Sequence, residues 1–177
     1  MGSLYKALLS TTIVLFGVLI AEMPENLTKK VHKEITKTFE TNQFELVMLD
    51  IPNELDAQLP ASMQRNMRRI DSQGALLGFA YTGSARSKSA NFEYLILFDK
   101  QVRIVHSKVL VYREEYGGEI GSKRWLRQFN GKGGQDRVSV DTNIDAISGA
   151  TISVRSMTIA VDKILQSVAV LQDKEII

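Results

Sequence analysis

The clearest signal in the chain is a single apolar stripe near its C-terminus. From Ile152 onward, Val154, Met157, Val161, Ile164, Val168 and Leu171 recur at alternating steps of three and four. That spacing puts them on one face of a long α-helix and predicts a helix packed against a core. A second helix is predicted after Pro24, where Leu27, Val31, Ile35 and Phe39 share one face and lysines and glutamates occupy the other. Between the two the period changes. Residues 75–81, 92–98 and 102–112 read as strands, the last two joined across Asp99-Lys100-Gln101 as a hairpin. Glu115-Tyr116-Gly117-Gly118 reads as a turn, 122–129 as a short helix, 130–135 as a loop, and 138–140 as a small strand. Pro52 and Pro60 break residues 42–73, where a short amphipathic helix is expected over 62–70.

This order of elements predicts an α+β fold, a twisted and mainly antiparallel sheet with flanking helices. The organisation expected is an N-terminal apolar segment over 1–22, a helical extension over 23–73 that packs on the domain, and the domain itself over 74–177. Residues 7–21 are uncharged and mostly apolar, a length closer to a signal-peptide core than to the roughly 20 residues of a transmembrane span. The residues before Glu22 make a poor cleavage site, so a retained anchor and a removed signal both fit. Four lysines (29, 30, 33 and 37) follow the apolar stretch and only Lys6 precedes it, which taken alone would keep the body in the cytoplasm.

Composition removes several chemistries. The chain has 177 residues, 44% of them hydrophobic and 24% charged, as a globular protein does, and its net charge of +2 argues against nucleic acid as the main partner. It holds no cysteine and two histidines, His32 and His106, so disulfides, thiolate catalysis, iron–sulfur clusters and histidine-rich metal sites are excluded. No metal site is expected. Any redox chemistry must therefore reside on an organic cofactor.

Directly before the final helix stands Asp145-Ala146-Ile147-Ser148-Gly149-Ala150-Thr151. Ser148, Gly149 and Ala150 are small enough for a ligand to approach the backbone. Thr151 lies at the helix start, where free N–H groups and the positive dipole end favour a phosphate. A threonine at that place is equally suited to cap the helix. Competing signatures fail on spacing: in Gly117-Gly118-Glu119-Ile120-Gly121-Ser122-Lys123 the lysine does not follow the glycine as a phosphate-binding loop requires.

The string D-A-I-S-G-A-T-I-S resembles the flavinylation motif of the FMN-binding domain family, which includes FMN-carrying components of the sodium-pumping NADH:quinone reductase and of the related ion-translocating electron transport complex. Its four central residues would arise by chance in such a chain about once in a thousand. The resemblance implies FMN joined covalently through its phosphate to the hydroxyl of Thr151, with Asp145, Ser148, Gly149 and Ala150 forming the motif around it. It also implies maturation by a flavin transferase that uses FAD and magnesium, membrane or soluble proteins as electron donor and acceptor, and a domain on the outer face of a bacterial cytoplasmic membrane or in the periplasm. Many relatives carry an E-T-P-G-x-G loop, whereas this chain has Glu114-Glu115-Tyr116-Gly117-Gly118. That turn is expected to border the flavin, with Tyr116 a ring contact or a half-buried packing residue. No acid–base pair is evident, so the expectation is an electron carrier with no catalytic residues of its own. The alternatives are a non-redox accessory subunit and a small flavin-dependent reductase.

Overall fold

A computed structural model describes residues 24–177; the expected signal or anchor segment lies outside the described residues. Five strands, β1 (Glu45–Met48), β2 (Met67–Ser72), β3 (Ala75–Arg86), β4 (Asn91–Phe98) and β5 (Ile104–Val111), form one sheet. They pair in sequence order, and every pairing is antiparallel. Among the described residues four α-helices accompany them: α1 (Glu25–Phe39), α2 (Asn53–Asp56), α3 (Lys123–Leu126) and α4 (Thr151–Asp173). The α+β class with an antiparallel sheet and flanking helices is as the sequence indicates.

Both faces of the sheet are covered, and this determines which residues are apolar. On one face α4 buries Val154, Met157, Val161, Ile164, Val168 and Leu171, the stripe read from the sequence, against Tyr81, Tyr94, Ile96 and Phe98. On the other, α1 buries Val31 and Ile35 over Ile70, Ala80, Leu95, Leu97 and Leu110. Fully burying one such aliphatic side chain is worth about 1.5–3 kcal/mol, so each helix is held mainly by its apolar face. The β4–β5 hairpin forms where expected, with Asp99 N–H bonded to Arg103 O at 2.9 Å across the turn.

Three expectations are corrected. The helix expected over 62–70 does not form; its second half is β2. Met67 and Ile70 are spaced like neighbours on a helix face, yet on the strand they point to opposite sides of a sheet that is buried on both. The small strand expected at 138–140 is absent, because the Val138 N–H bonds to the Asp162 carboxylate at 3.1 Å and the Ser139 N–H to the Asn143 side chain at 3.0 Å. The segment 45–72, expected to belong to a helical extension, supplies β1 and β2 to the same sheet. The short helix expected over 122–129 is α3 followed by one 3₁₀ turn, with the Ser122 side chain accepting from the Trp125 N–H at 3.3 Å.

Candidate functional site

Three chain segments meet at the N-terminal end of α4. The first is the β3–β4 turn, the second the chain leaving β5, and the third the motif itself. Side chains of the first two helical turns lock them together. Ser153, buried, shares a hydrogen bond with the Tyr112 hydroxyl at 3.0 Å. Ser156 donates to the carbonyl of Arg86 at the end of β3.

The β3–β4 turn is organised by one carboxylate. Glu114 accepts from the Ser87 hydroxyl at 2.5 Å, from the Ser89 N–H and hydroxyl at 2.7 and 2.8 Å, and from the Ala90 N–H at 3.2 Å. The Ser87 bond contributes most, and the set lowers the Glu114 pKa to about 2. Beside it, Arg113 is paired with Glu93 at 2.7 Å, and that hydrogen bond raises the pKa of its guanidinium.

At the centre is an open cavity of about 810 Å³. Gly149, Ala150 and Thr151 form one wall, Tyr112 and Tyr116 another, and Lys88 and Ser89 of the β3–β4 turn a third. Ala150, not Thr151, is the N-cap residue, and no side chain caps the helix. Thr151 is the first helical residue; it is exposed, and its hydroxyl has no hydrogen-bond partner among the described residues. The reading of Thr151 as a helix cap is therefore set aside. The first backbone bond of the helix is from Val154 N–H to Ala150 O at 2.9 Å, which leaves the preceding amides without helical acceptors.

The motif is split between two hollows. Asp145 and Ser148 line a neighbouring cavity of about 490 Å³, with Glu119, Arg124 and Trp125. The Asp145 backbone is pinned from that side: its carbonyl accepts from Trp125 Nε1 at 2.8 Å and its N–H donates to Gln128 Oε1 at 2.8 Å. Among the turn residues, Tyr116 is 79% exposed at the cavity mouth, which sets aside its reading as a half-buried packing residue. Neither Gly117 nor Gly118 lines either hollow; Gly117, with φ +79°, lies against Ala150. The sequence does not single out Tyr112, Ile152, Ser153 or the turn at Lys88, and it places Glu114 in the bordering turn without its role. The Ser-Lys-Ser run at 87–89 is a turn signal in itself, but nothing in it shows closure onto Glu114.

Residues 88–166 match the family model of the FMN-binding domain. This segment is an FMN-binding domain. It starts in the β3–β4 turn and ends inside α4, so it takes in every residue that lines the Thr151 cavity. A search of curated proteins finds no match to the chain.

Proposed function

We propose that FMN is held in the larger cavity by a phosphoester bond to Thr151 and that the protein works as an electron carrier. The observation that carries this reading is the Thr151 side chain. Its hydroxyl is exposed and unbonded at an uncapped helix N-terminus, within an FMN-binding domain. The residues fit the group. A phosphodiester there lies at the positive end of a 23-residue helix and within reach of amides that lack helical acceptors. Gly149, at φ +79° with open space around its α-carbon, and Ala150 keep the approach free of side chains. Tyr116 and Ile152, both exposed, offer apolar surface for the ring system at the cavity mouth.

Attachment requires little of this chain. A flavin transferase would join the Thr151 hydroxyl to the FMN phosphate of FAD, with AMP as the leaving group, so the residue this chain would supply is the exposed hydroxyl. Bound flavin supplies reversible one- and two-electron transfer. The chain's own residues hold it and exclude water from one side.

The cavity favours a carrier over a reductase. Neither histidine lines it, the Glu114 carboxylate is engaged by its four donors, and Arg113 is paired. Lys88 and Glu115 also line it, and no hydrogen bond or ion pair among the described residues orients either side chain for proton transfer to a substrate. The electron donor and acceptor are then proteins, membrane-bound or soluble. The apolar residues 7–21 and the family resemblance support a position on the outer face of a bacterial cytoplasmic membrane or in the periplasm. Among the described residues no helix is long and apolar enough to cross a membrane.

The test is co-expression of the chain, and of Thr151→Ala, with a bacterial flavin transferase, followed by intact mass after denaturation. A gain of FMN less one water, absent in Thr151→Ala, is the expected result. An unmodified chain beside a modified control substrate overturns the attachment.

A further inference from the structure

A different hollow lies at the open edge of the sheet. β5 is the last strand, and beside it a notch of about 250 Å³ is bounded by α1 on one side and by α3 with the following turn on the other. Its charged lining is of one sign. Lys37 comes from the last turn of α1, Lys123 from α3, and Arg127 from the 3₁₀ turn after it. None of the three makes an ion pair or a side-chain hydrogen bond among the described residues. The nearby acid, Glu34, is engaged with His106 Nε2 at 2.9 Å.

Against the same notch lies Ser107. It is 4% exposed, and its hydroxyl has no partner among the described residues. A buried hydroxyl without a partner is uncommon, because the lost hydration is uncompensated. A buried donor beside three unpaired cations is the arrangement a compact oxyanion satisfies: cations supply charge, and the hydroxyl and the Asn130 amide supply directed donors.

We propose that this notch binds a phosphate-bearing anion, held by Lys37, Lys123 and Arg127 and by the Ser107 hydroxyl. The ligand chemistry is that of a phosphomonoester, supplied either by a soluble metabolite or by an anionic lipid headgroup. The site stands apart from the Thr151 cavity, shares no lining residue with it, and does not depend on the flavin reading.

The experiment uses the full chain, ¹⁵N-labelled, in detergent micelles and titrated with inorganic phosphate. Saturable shifts at the Ser107, Asn130 and Lys37 amides are expected. The double variant Lys123→Glu/Arg127→Glu should weaken the affinity by about a hundredfold, one tenfold step for each charge-assisted hydrogen bond removed. Ser107→Ala should weaken it less while leaving thermal stability equal or higher, which a merely structural serine would not do. A parallel arm places the chain in nanodiscs of phosphatidylcholine with or without phosphatidic acid. Shifts of the same amides only with phosphatidic acid, lost in the double variant, identify the headgroup as the source. Absence of these shifts in both arms, or shifts that persist in the double variant, overturns the proposal. Mass analysis of the double variant after flavin transferase treatment keeps this outcome separate from that of Thr151.

Discussion

Gly117 and Ala150 touch so closely that a β-carbon on Gly117 would lie 2.9 Å from that of Ala150. The contact brings the turn after β5 onto the N-cap residue of α4, and so fixes the two walls of the Thr151 cavity against each other. Gly117 also has φ +79°, where side chains are strained. Gly117→Ala combines strain with a clash, and it is expected to destabilise the fold by about 1–3 kcal/mol. Urea denaturation measures the loss, and intact mass should show slower flavin attachment at equal protein concentration.

Thr151→Ala has the opposite profile. Its hydroxyl holds nothing in the fold, so the cost in stability is expected to stay within about 0.5 kcal/mol. A capping threonine would cost about 1 kcal/mol. Thermal unfolding of the flavin-free proteins decides between them, and a loss near the larger figure would return Thr151 to the role of a cap.

Glu114 gives a pH signature. Its pKa, ordinarily 4.5, is lowered to about 2 in the folded protein by the Ser87, Ser89 and Ala90 donors. A group whose folded pKa is depressed stabilises the protein fully above the unfolded value, and that contribution is lost as pH falls through the folded one. The urea midpoint should therefore fall between pH values of about 4.5 and about 2, and Glu114→Gln should flatten that part of the profile. The same variant should loosen the β3–β4 turn, seen as faster amide exchange at Ser89 and Ala90.

Trp125 ties the motif loop to α3 through its indole N–H and the Asp145 carbonyl. Trp125→Phe keeps most of the buried ring and removes that bond, at an expected cost of about 1–2 kcal/mol. Hydrogen exchange over 145–149 should quicken more than exchange in the sheet; equal quickening in both would show a general loss of packing instead.

Tyr112→Phe removes the hydroxyl that partners buried Ser153. The expected loss is about 1–3 kcal/mol, because the serine is left without its partner. Tyr112→Phe combined with Ser153→Ala should recover part of it, and a strictly additive double variant would refute the pairing.

What the sequence made legible was local. The stripe on α4 and the face of α1 are periodic over several turns, and the motif occupies seven consecutive positions that run into the first residue of a helix. β1 escaped notice because three of its four residues are exposed and its pattern does not alternate. β2 reads as helix in the sequence because apolar residues three apart are buried on opposite faces of a doubly covered sheet. The cavity walls were illegible for another reason. Glu114 meets Ser87 across 27 positions and Tyr112 meets Ser153 across 41, and neither pairing leaves a spacing that a single chain can display.

Thr151 opens a helix whose other turns run through the main core, ending with Leu171 fully buried. A flavin fastened there through its phosphate would hang from a rigid point, with its own ribityl chain as the only tether. The protein would supply no further reach, so in the proposed carrier role the gap to a redox partner would be set by that short tether and by how the two proteins collide.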